Sequence, residues 1–478
     1  RQIAEEIEAV GGELNAATGL DSTTYYARVL KGDEGVALEI LADILLNSSF
    51  TPADLERERE VIQQEIAAAN DSPDDIGFDL LHAAAFPGQP LGRNILGTPE
   101  SVAAVQAADL KQFLSTWYRP ERMVAAASGA VHHENFVRHV EALFGGLTPG
   151  EAGEVPPADY AGGVLASDKP FEQSHVLIGY KSPSYLDEDF YTGQVFSALF
   201  GGGMSSRLFQ EIRENRGLCY SIYSTIWGLK DVGMLAVHAA TGSKMIKELS
   251  AVVASELAAL ADQGPNDKEL QRAKAQIKAG LLMALESSSV RAEQMGRHLL
   301  NYGRIIDVEE LAKRVSDTTR EDVRNYVARL ANAAPTVAVV GAGKRSLKHA
   351  EHVAALLARD GRTSEFNVHE LSLSPDERRI YAGVTDSLVG DLMPGVAEGP
   401  SAARLSPDAG GIYIIDNSDI AEGRPDPKMR LLGTALHGGW HSVMRANING
   451  VPYLVGGGEL VSCPGAVPTL TNIADEAH

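Results

Sequence analysis

The 478-residue sequence predicts an α+β protein of two duplicated domains, each an antiparallel-rich mixed sheet packed with helices, followed by a partial β-propeller-like C-terminal segment. Two observations predict the duplication. A similar order of strands and helices starts again at Gly163, and the helix openings TPADLERERE and GPNDKELQRA align with Leu55 on Leu270. A third observation, the change to Gly- and Pro-rich sequence with short β signals after about Gly343, predicts the separate C-terminal segment.

These changes divide the chain into four segments. They are a first domain over 1–150, a second domain over 151–343, a helical linker over 344–365 and a β-rich, propeller-like fragment over 366–478. The last segment contains the β signals ELSLSP, RIYAGV, GIYIID and PYLVGGG. A propeller needs about four blades to close, so we expect only part of one here.

The first domain opens with a helix and a hairpin. Apolar spacing over 1–10 predicts a helix that stops at Gly11-Gly12. ELNAAT and TTYYARVL predict two strands over 13–30, and helical periodicity returns over 36–46. Five further elements complete this domain: a helix from the cap Thr51-Pro52 to about Asn70, a helical stretch to Ala85, a helix opened by Thr98, the buried strand RMVAAASGAV (122–131) and a helix near 133–144.

The second domain repeats this mixture. Its predicted elements are the strand HVLIGYKSP, a helix over 189–200, the helix MSSRLFQEIRENRG stopped by Gly217, the strands CYSIYSTIWG and GMLAVHAAT, helices over 243–262 and 266–287, and the closing strand PTVAVVGAG.

Composition and charge exclude several classes of protein. A formal net charge of −22 argues against general nucleic-acid or anionic-membrane binding, because phosphates would be repelled. No apolar run approaches the roughly 18–20 residues of a membrane span. The two cysteines, Cys219 and Cys463, lie far apart and form no zinc pattern, so we expect structural thiols.

Two carboxylates on the helix from Thr51 are the most informative polar pair. Glu58 and Glu65 are seven residues apart and project from one helix face beside an apolar stripe. Such carboxylates are costly unless a metal or an arginine meets them, although periodicity alone favours surface ion pairs. The matching positions of the second copy are Ala273 and Gly280, and this asymmetry favours a site in the first half.

Over about residues 1–343 the sequence resembles the M16 (pitrilysin/insulinase) zinc metallopeptidases, in particular bacterial relatives of the mitochondrial processing peptidase β subunit. Four segments carry the resemblance in the family's order: IAEEIEAVGGELNAATGLDSTTYYARVL, EREREVIQQEI, NDSPDDIGFDLLHAAAFPGQPLGRNILGT and GGGMSSRLFQEIRENRGLCYSIYS. The resemblance implies a zinc-dependent metalloendopeptidase that hydrolyses peptides bound in extended form in a two-domain chamber. The second domain corresponds to the family's inactive copy.

On the metal side, the resemblance assigns Glu65 as the third zinc ligand and Glu58 as the glutamate that steadies the site. The family's His-x-x-Glu-His motif supplies two imidazole ligands and the water-activating glutamate, and it is absent from the 478 residues. In relatives this motif precedes RQIAEEIEAVGG, so we expect it upstream of Arg1, with the true N-terminus missing. A catalytic zinc needs about three protein ligands, so the chain as given is expected to be inactive.

On the substrate side, the resemblance places Asn15 and Ala16 on an edge strand that receives the peptide by β-augmentation. Arg213 and Tyr220 match the pair that reaches the substrate carbonyl and stabilises its oxyanion. We expect Glu65 to face an interior cleft opposite that pair. The expected partners are peptides or unfolded protein segments, with a homo- or heterodimer compatible.

The alternative to an active peptidase is a non-catalytic peptide-binding or scaffold subunit that partners an active homologue. Other histidines are not expected to bind metal. His82 and His175 lack a partner set in the sequence, and His349 and His352 lie on the predicted linker. The sequence leaves the cellular compartment open.

Overall fold

The computed structural model describes residues 2–150, 153 and 155–358, and beyond them the backbone of eight strands between 368 and 472. The chain forms two compact units, Arg1–Ala358 and Arg359–His478. None of the described helices is long and apolar enough to cross a membrane.

The elements of the first half of unit one follow the predicted order. They are α1 (Gln2–Ala9), β1 (Glu13–Thr18), β2 (Thr23–Arg28), α2 (Glu34–Leu46), α3 (Pro52–Asn70), α4 (Pro73–Ala85), α5 (Pro99–Ala104), α6 (Ala107–Trp117) and α7 (His133–Phe144).

The second half of unit one also alternates strands and helices. Its elements are β3 (Gly163–Ser182), α8 (Phe190–Gly201), a π-helix (Phe209–Glu214), β4 (Cys219–Gly228), β5 (Gly233–Thr241), α9 (Ile246–Gln263), α10 (Asp267–Ala284), α11 (Ser288–Tyr302), α12 (Val308–Asp317), α13 (Arg320–Ala331), β6 (Thr336–Ala342) and α14 (Ser346–Leu357).

Helices α3 and α10 begin in the same way, as the predicted alignment requires. Thr51 caps α3, its side-chain oxygen accepting a hydrogen bond from the backbone N–H of Asp54 at 3.2 Å. Asn266 caps α10 through the N–H of Glu269 at 3.0 Å. The aligned leucines therefore both stand four residues after their cap, which supports the duplication.

The predicted strand 122–131 is wrong. Residues 123–128 form no strand, and none of them is buried. Among the described residues, the first half contains one sheet, the antiparallel pair β1–β2, so this segment has no ladder partner there. It runs beside α11 instead, since a Cβ at Gly296 would lie 3.8 Å from the Cβ of Ala126.

The second half forms a mixed sheet in the order β4–β5–β3–β6, antiparallel except for the parallel pair β3–β6. Val176 and Ile178 face the core shared with helices such as α8, α9 and α13. Leu177 faces the opposite way, against Leu81 of α4. A helix from the first half thus covers the second half's sheet. Gly77 permits this approach, because a Cβ there would lie 2.5 Å from Leu177 Cδ1.

The predicted helix over 204–217 is a π-helix in its central part. The backbone N–H of Asn215 donates to the carbonyl of Gln210, five residues back, at 2.9 Å. The segment stops at Gly217, whose φ of +61° lies in the left-handed region. The predicted stop is confirmed, whereas the predicted α-helical geometry is wrong here.

Helix α14 occupies much of the predicted linker, and it packs on β3 and β6. Ala350 and Val353 are fully buried, and Leu357 is nearly so. These residues belong to the core of unit one. Residues 359–365 lie outside the described part of the chain.

In unit two the structure describes the backbone of eight strands. Its strands are β7 (Val368–Leu373), β8 (Arg379–Val384), β9 (Ala397–Glu398), β10 (Gly411–Asp416), β11 (Arg430–Leu436), β12 (Trp440–Ile448), β13 (Val451–Gly458) and β14 (Thr469–Asn472). They form a five-stranded sheet, β7–β8–β10–β11–β9, and a three-stranded sheet, β12–β13–β14. Propeller blades have four strands, so the propeller prediction gains no support.

Candidate functional site

Helix α3 presents Glu58 and Glu65 on its surface. Its packing face is the predicted one, with Ile66 buried and Leu55 and Ile62 partly so. Both glutamates are exposed. Because α3 packs through the side that carries Ile66, Glu65 is open to solvent.

The ion pairs of α3 involve other side chains. Arg57 pairs with Asp54 at 2.9 Å, and Arg59 pairs with Glu56. Among the described residues, neither predicted site glutamate has an ion-pair partner. The surface-pair explanation thus accounts for the neighbours of Glu58 and Glu65, and it leaves these two carboxylates unexplained.

Asn15 and Ala16 lie exposed on β1. They pair with Tyr26 and Tyr25 of β2. The sheet contains these two strands, so the far edge of β1 carries no strand within the described ranges. The Asn15 side-chain oxygen accepts a hydrogen bond from the backbone N–H of Ala16 at 2.8 Å, within that exposed strand.

Arg213 and Tyr220 come together, although seven positions and a π-helix end separate them. The guanidinium carbon of Arg213 lies 5.2 Å from the centre of the Tyr220 ring and 4.6 Å from that of Phe209. Tyr220 is 75% exposed, so its hydroxyl faces solvent. The neighbouring Cys219 is buried, and burial raises the pKa of its thiol to about 11. It is therefore a structural thiol, as predicted; Cys463 lies outside the described residues.

The residues around Glu65 do not fit the zinc site that the family implies. Glu65 belongs to no group of three His, Cys, Asp or Glu side chains with converging ligand atoms in the described part of the chain. The sequence offers no His-x-x-Glu-His to complete one. A single exposed carboxylate cannot hold zinc, because a catalytic site needs about three protein ligands.

A different cluster does have the chemistry of a metal site. It is the one such group among the described residues, and it consists of Asp74, His175 and His238. Asp74 Oδ1 lies 2.9 Å from His238 Nε2 and 3.3 Å from His175 Nδ1, and the two nitrogens are 3.0 Å apart. The prediction that His175 lacks partners is therefore wrong.

This cluster is largely buried. The side chains of His175 and His238 are 8% and 3% exposed, whereas Asp74 is 53% exposed and opens to solvent. Burial holds the pKa of His238 below its usual value, against the opposing effect of Asp74. Its Nδ1 is buried without a hydrogen-bond partner in the described structure.

Sequence patterns gave only part of the signal for this cluster. The two predicted strands HVLIGYKSP and GMLAVHAAT each carry one of the histidines. The register between strands and the docking of α4 decide that they meet, and neither can be derived from periodicity.

Comparison with known proteins identifies a family and relatives that match most of the chain. The family described as Insulinase (Peptidase family M16) matches residues 1–99, and the Peptidase M16 inactive domain matches residues 104–277. An uncharacterized zinc protease of Rickettsia bellii (strain RML369-C) is 36% identical over 342 residues, which cover 71% of this chain and 83% of that protein. One from Mycobacterium tuberculosis (strain ATCC 25618 / H37Rv) is 38% identical over 353 residues, covering 72% and 81%.

Solved structures agree in fold. A protease from Helicobacter pylori superposes with a TM-score of 0.64 at 19% identity, covering 71% of this chain and 84% of that one. A peptidase M16 inactive domain from Pseudomonas fluorescens gives 0.62 at 20% identity, covering 71% and 83%. At this identity the likeness concerns the fold alone.

Proposed function

The chain belongs to the insulinase (peptidase M16) family, and on this premise we propose that it carries the peptide-binding part of a zinc endopeptidase machinery. An extended peptide lies along β1, at Asn15 and Ala16, in a chamber between the two halves. Arg213 and Tyr220 contact the peptide carbonyl. Substrates are peptides or unfolded protein segments.

The contact between Arg213 and Tyr220 is the observation that carries this proposal. The guanidinium lies 5.2 Å from the ring centre, and the ring is 75% exposed. A stacked guanidinium and an exposed phenol are two hydrogen-bond donors with limited freedom. Donors held in place in this way stabilise negative charge that develops on a carbonyl oxygen.

The exposed hairpin supports the same proposal. An edge strand can pair with an extended peptide through backbone hydrogen bonds, which bind many sequences. The exposed positions of Asn15 and Ala16 leave room for such pairing. The Asn15 oxygen that now accepts from Ala16 N–H would release that donor to the peptide.

Hydrolysis by this machinery needs a His-x-x-Glu-His segment beside Glu65 and Glu58, supplied on the same polypeptide or by a homologous partner. Glu58 and Glu65 have no ion-pair partner among the described residues. The aligned positions of the second half, Ala273 and Gly280, carry no carboxylate. Both observations favour an endopeptidase site in the first half. The second candidate is a non-catalytic peptide-binding subunit, which needs only the open edge of β1 and the Arg213–Tyr220 pair.

The experiment measures binding and cleavage separately. The purified 478-residue chain is titrated with a labelled, unstructured peptide by fluorescence anisotropy, and cleavage is followed by mass spectrometry. We expect binding without cleavage. Adding an active M16 homologue, or fusing its His-x-x-Glu-His segment ahead of Arg1, tests the two sources of the motif.

Each outcome has a fixed meaning. Cleavage in the fusion that Glu65→Gln abolishes supports the endopeptidase. Faster cleavage with the added homologue than by the homologue alone, insensitive to Glu65→Gln, supports the partner subunit. Absence of peptide binding under all conditions would refute both.

A further inference from the structure

We propose that Asp74, His175 and His238 form a binding site for a divalent transition-metal ion, separate from the family's zinc site. The site joins α4 of the first half to β3 and β5 of the second. It does not involve Glu65, so it stands or falls independently of the peptide-binding function.

The spacing of the three ligand atoms suits one small ion. They are separated by 2.9, 3.0 and 3.3 Å. A circle through them has a radius of about 1.8 Å, so a point about 2.0–2.1 Å from all three exists slightly above their plane. That distance is the usual one for zinc bound to histidine nitrogen or carboxylate oxygen.

Hydrogen bonds alone do not satisfy this arrangement. With neutral rings, a proton on His238 Nε2 can be donated to Asp74 Oδ1 at 2.9 Å. If His175 Nδ1 carries a proton, that proton faces the N–H of His238 at 3.0 Å. If it carries a lone pair, the lone pair faces Asp74 Oδ1 at 3.3 Å. Each tautomer of His175 therefore leaves one repulsive contact. A cation at the centre instead meets three lone pairs.

The fold builds the site from rigid elements. In the β3–β5 ladder, His175 is opposite Ala240 and His238 is opposite Leu177, so the two histidines are diagonal neighbours on one sheet face. Asp74 reaches them from the first turn of α4. Ligands on strands and a helix start are held more precisely than ligands on loops.

Aromatic rings close the sides. The Phe78 ring stacks on that of His238 with centres 6.1 Å apart, and the Tyr223 ring lies 5.0 Å from it. Asp74 alone is open to solvent, so water can fill the remaining coordination positions. Two imidazoles and one carboxylate suit Zn²⁺ and its neighbours in the first transition row. The bound ion would fasten α4 to the sheet.

The test uses the full chain stripped of metal with a chelator. Isothermal titration with Zn²⁺ should give one equivalent bound per chain, and the melting temperature should rise by about 5 °C at saturation. Asp74→Asn and His175→Gln should each weaken zinc binding by about a hundredfold or more, because each removes a ligand.

Two matched controls replace carboxylates that do not belong to the proposed site. Asp75→Asn changes the adjacent residue of the same helix turn, and Glu65→Gln changes the ligand expected from the family. Both should bind zinc as the unaltered chain does. Weakening by Glu65→Gln with retention in His175→Gln would overturn the assignment.

A measurement on the unaltered chain guards against variants that fail to fold. X-ray absorption of the zinc-loaded chain should show nitrogen or oxygen ligands at about 2.0–2.1 Å with the outer-shell signature of two imidazoles. Absence of stoichiometric zinc binding, or a spectrum without imidazole, would refute the site.

Discussion

At the scale of single residues, Tyr220 offers the sharpest test of peptide recognition. Tyr220→Phe removes one hydroxyl from a ring that is 75% exposed. If this hydroxyl donates to the peptide carbonyl, its loss should weaken peptide binding by about three- to tenfold, the value of one hydrogen bond. Stability should not change, since the hydroxyl faces solvent. Anisotropy titration and thermal melting measure the two effects.

Arg213, which contacts this tyrosine, can be compared with the nearby Arg216 as a matched control. Arg213→Lys should also weaken the peptide complex, because lysine loses the planar contact with the ring. Arg216→Lys, on the same segment but paired with Glu211 at 2.6 Å, should leave the affinity unchanged. Equal losses in both arginine variants would point to general charge attraction and away from a defined carbonyl contact.

His82 gives a prediction for acid stability. Burial lowers its pKa to about 4, against an opposing hydrogen bond with the backbone of Leu91. The unfolded chain takes up a proton near pH 6.5, before the folded one does. The contribution of neutral His82 to the free energy of unfolding is therefore complete above pH 6.5, and it is lost as the pH falls to 4. It amounts to about 2 kcal/mol after allowance for the ring's partial exposure.

The check is urea unfolding of the chain and of His82→Gln at several pH values. The unfolding free energy of the unaltered chain should fall more steeply between pH 6.5 and 4 than that of the variant. Parallel curves would show that His82 is protonated equally in both states.

Residue-level prediction from the sequence succeeded where local spacing decides. The seven-residue interval of Glu58 and Glu65 puts both on one helix face, and the structure agrees. What faces these glutamates depends on the elements that pack around the helix, which spacing does not predict. The cluster of Asp74, His175 and His238 could not be predicted, since three distant segments meet only after the sheet register is fixed.

At the scale of elements, Arg207, which precedes the π-helix, connects α9 and α10. Its guanidinium makes two hydrogen bonds with Glu269 of α10, at 2.7 and 3.0 Å, and a third with Glu256 of α9 at 3.2 Å. Burial would raise the pKa of Glu269, but the bonds from Arg207 and the Asn266 backbone keep it below its usual value. This pair is mostly shielded from water, so breaking it should be costly.

Glu269→Gln should lower the free energy of unfolding by about 2 kcal/mol, because it leaves a shielded guanidinium partly uncompensated. It also weakens the cap of α10. The control is Glu293→Gln, whose exposed pair with Arg297 at 3.6 Å should matter by less than about 0.5 kcal/mol. Urea midpoints compare the two. Equal effects would mean that shielding contributes nothing here.

Element boundaries were predictable where a helix-capping or helix-stopping residue marks them. Thr51 and Gly217 stop or start elements through backbone geometry that needs no distant partner. The segment 122–131 has the composition of a strand but found no ladder, and strand formation depends on that partner. The π-helix adds one residue per turn, which an apolar pattern over 14 residues does not resolve.

At the scale of the molecule, the sequence predicts a duplication but not the different parts that the two halves play in the fold. The second half supplies the four-stranded sheet, and the first half contributes α4 to its other face. The two halves therefore share a core, and the sequence boundary near residue 150 does not separate independently packed bodies.

The end of unit one yields the last prediction. Helix α14 buries Ala350, Val353 and Leu357 against the second-half core. A chain that ends at Ala358 should fold and melt as unit one does in the full chain. A chain that ends at Arg345 loses these side chains and should be less stable by about 4 kcal/mol, the cost of exposing the surface that Val353 and Leu357 cover.

Thermal melting of the two shortened chains distinguishes this packing from the sequence-based boundary at 343/344. If α14 were only a linker, both chains would melt together, because neither would lose core contacts. Leu357→Ala in the longer chain separates burial from length: it should cost about 2–3 kcal/mol, while Leu347→Ala, at a position 48% exposed on the same helix, should cost little. Equal melting temperatures of all four proteins would mean that α14 contributes nothing to the core, and that unit one ends before this helix.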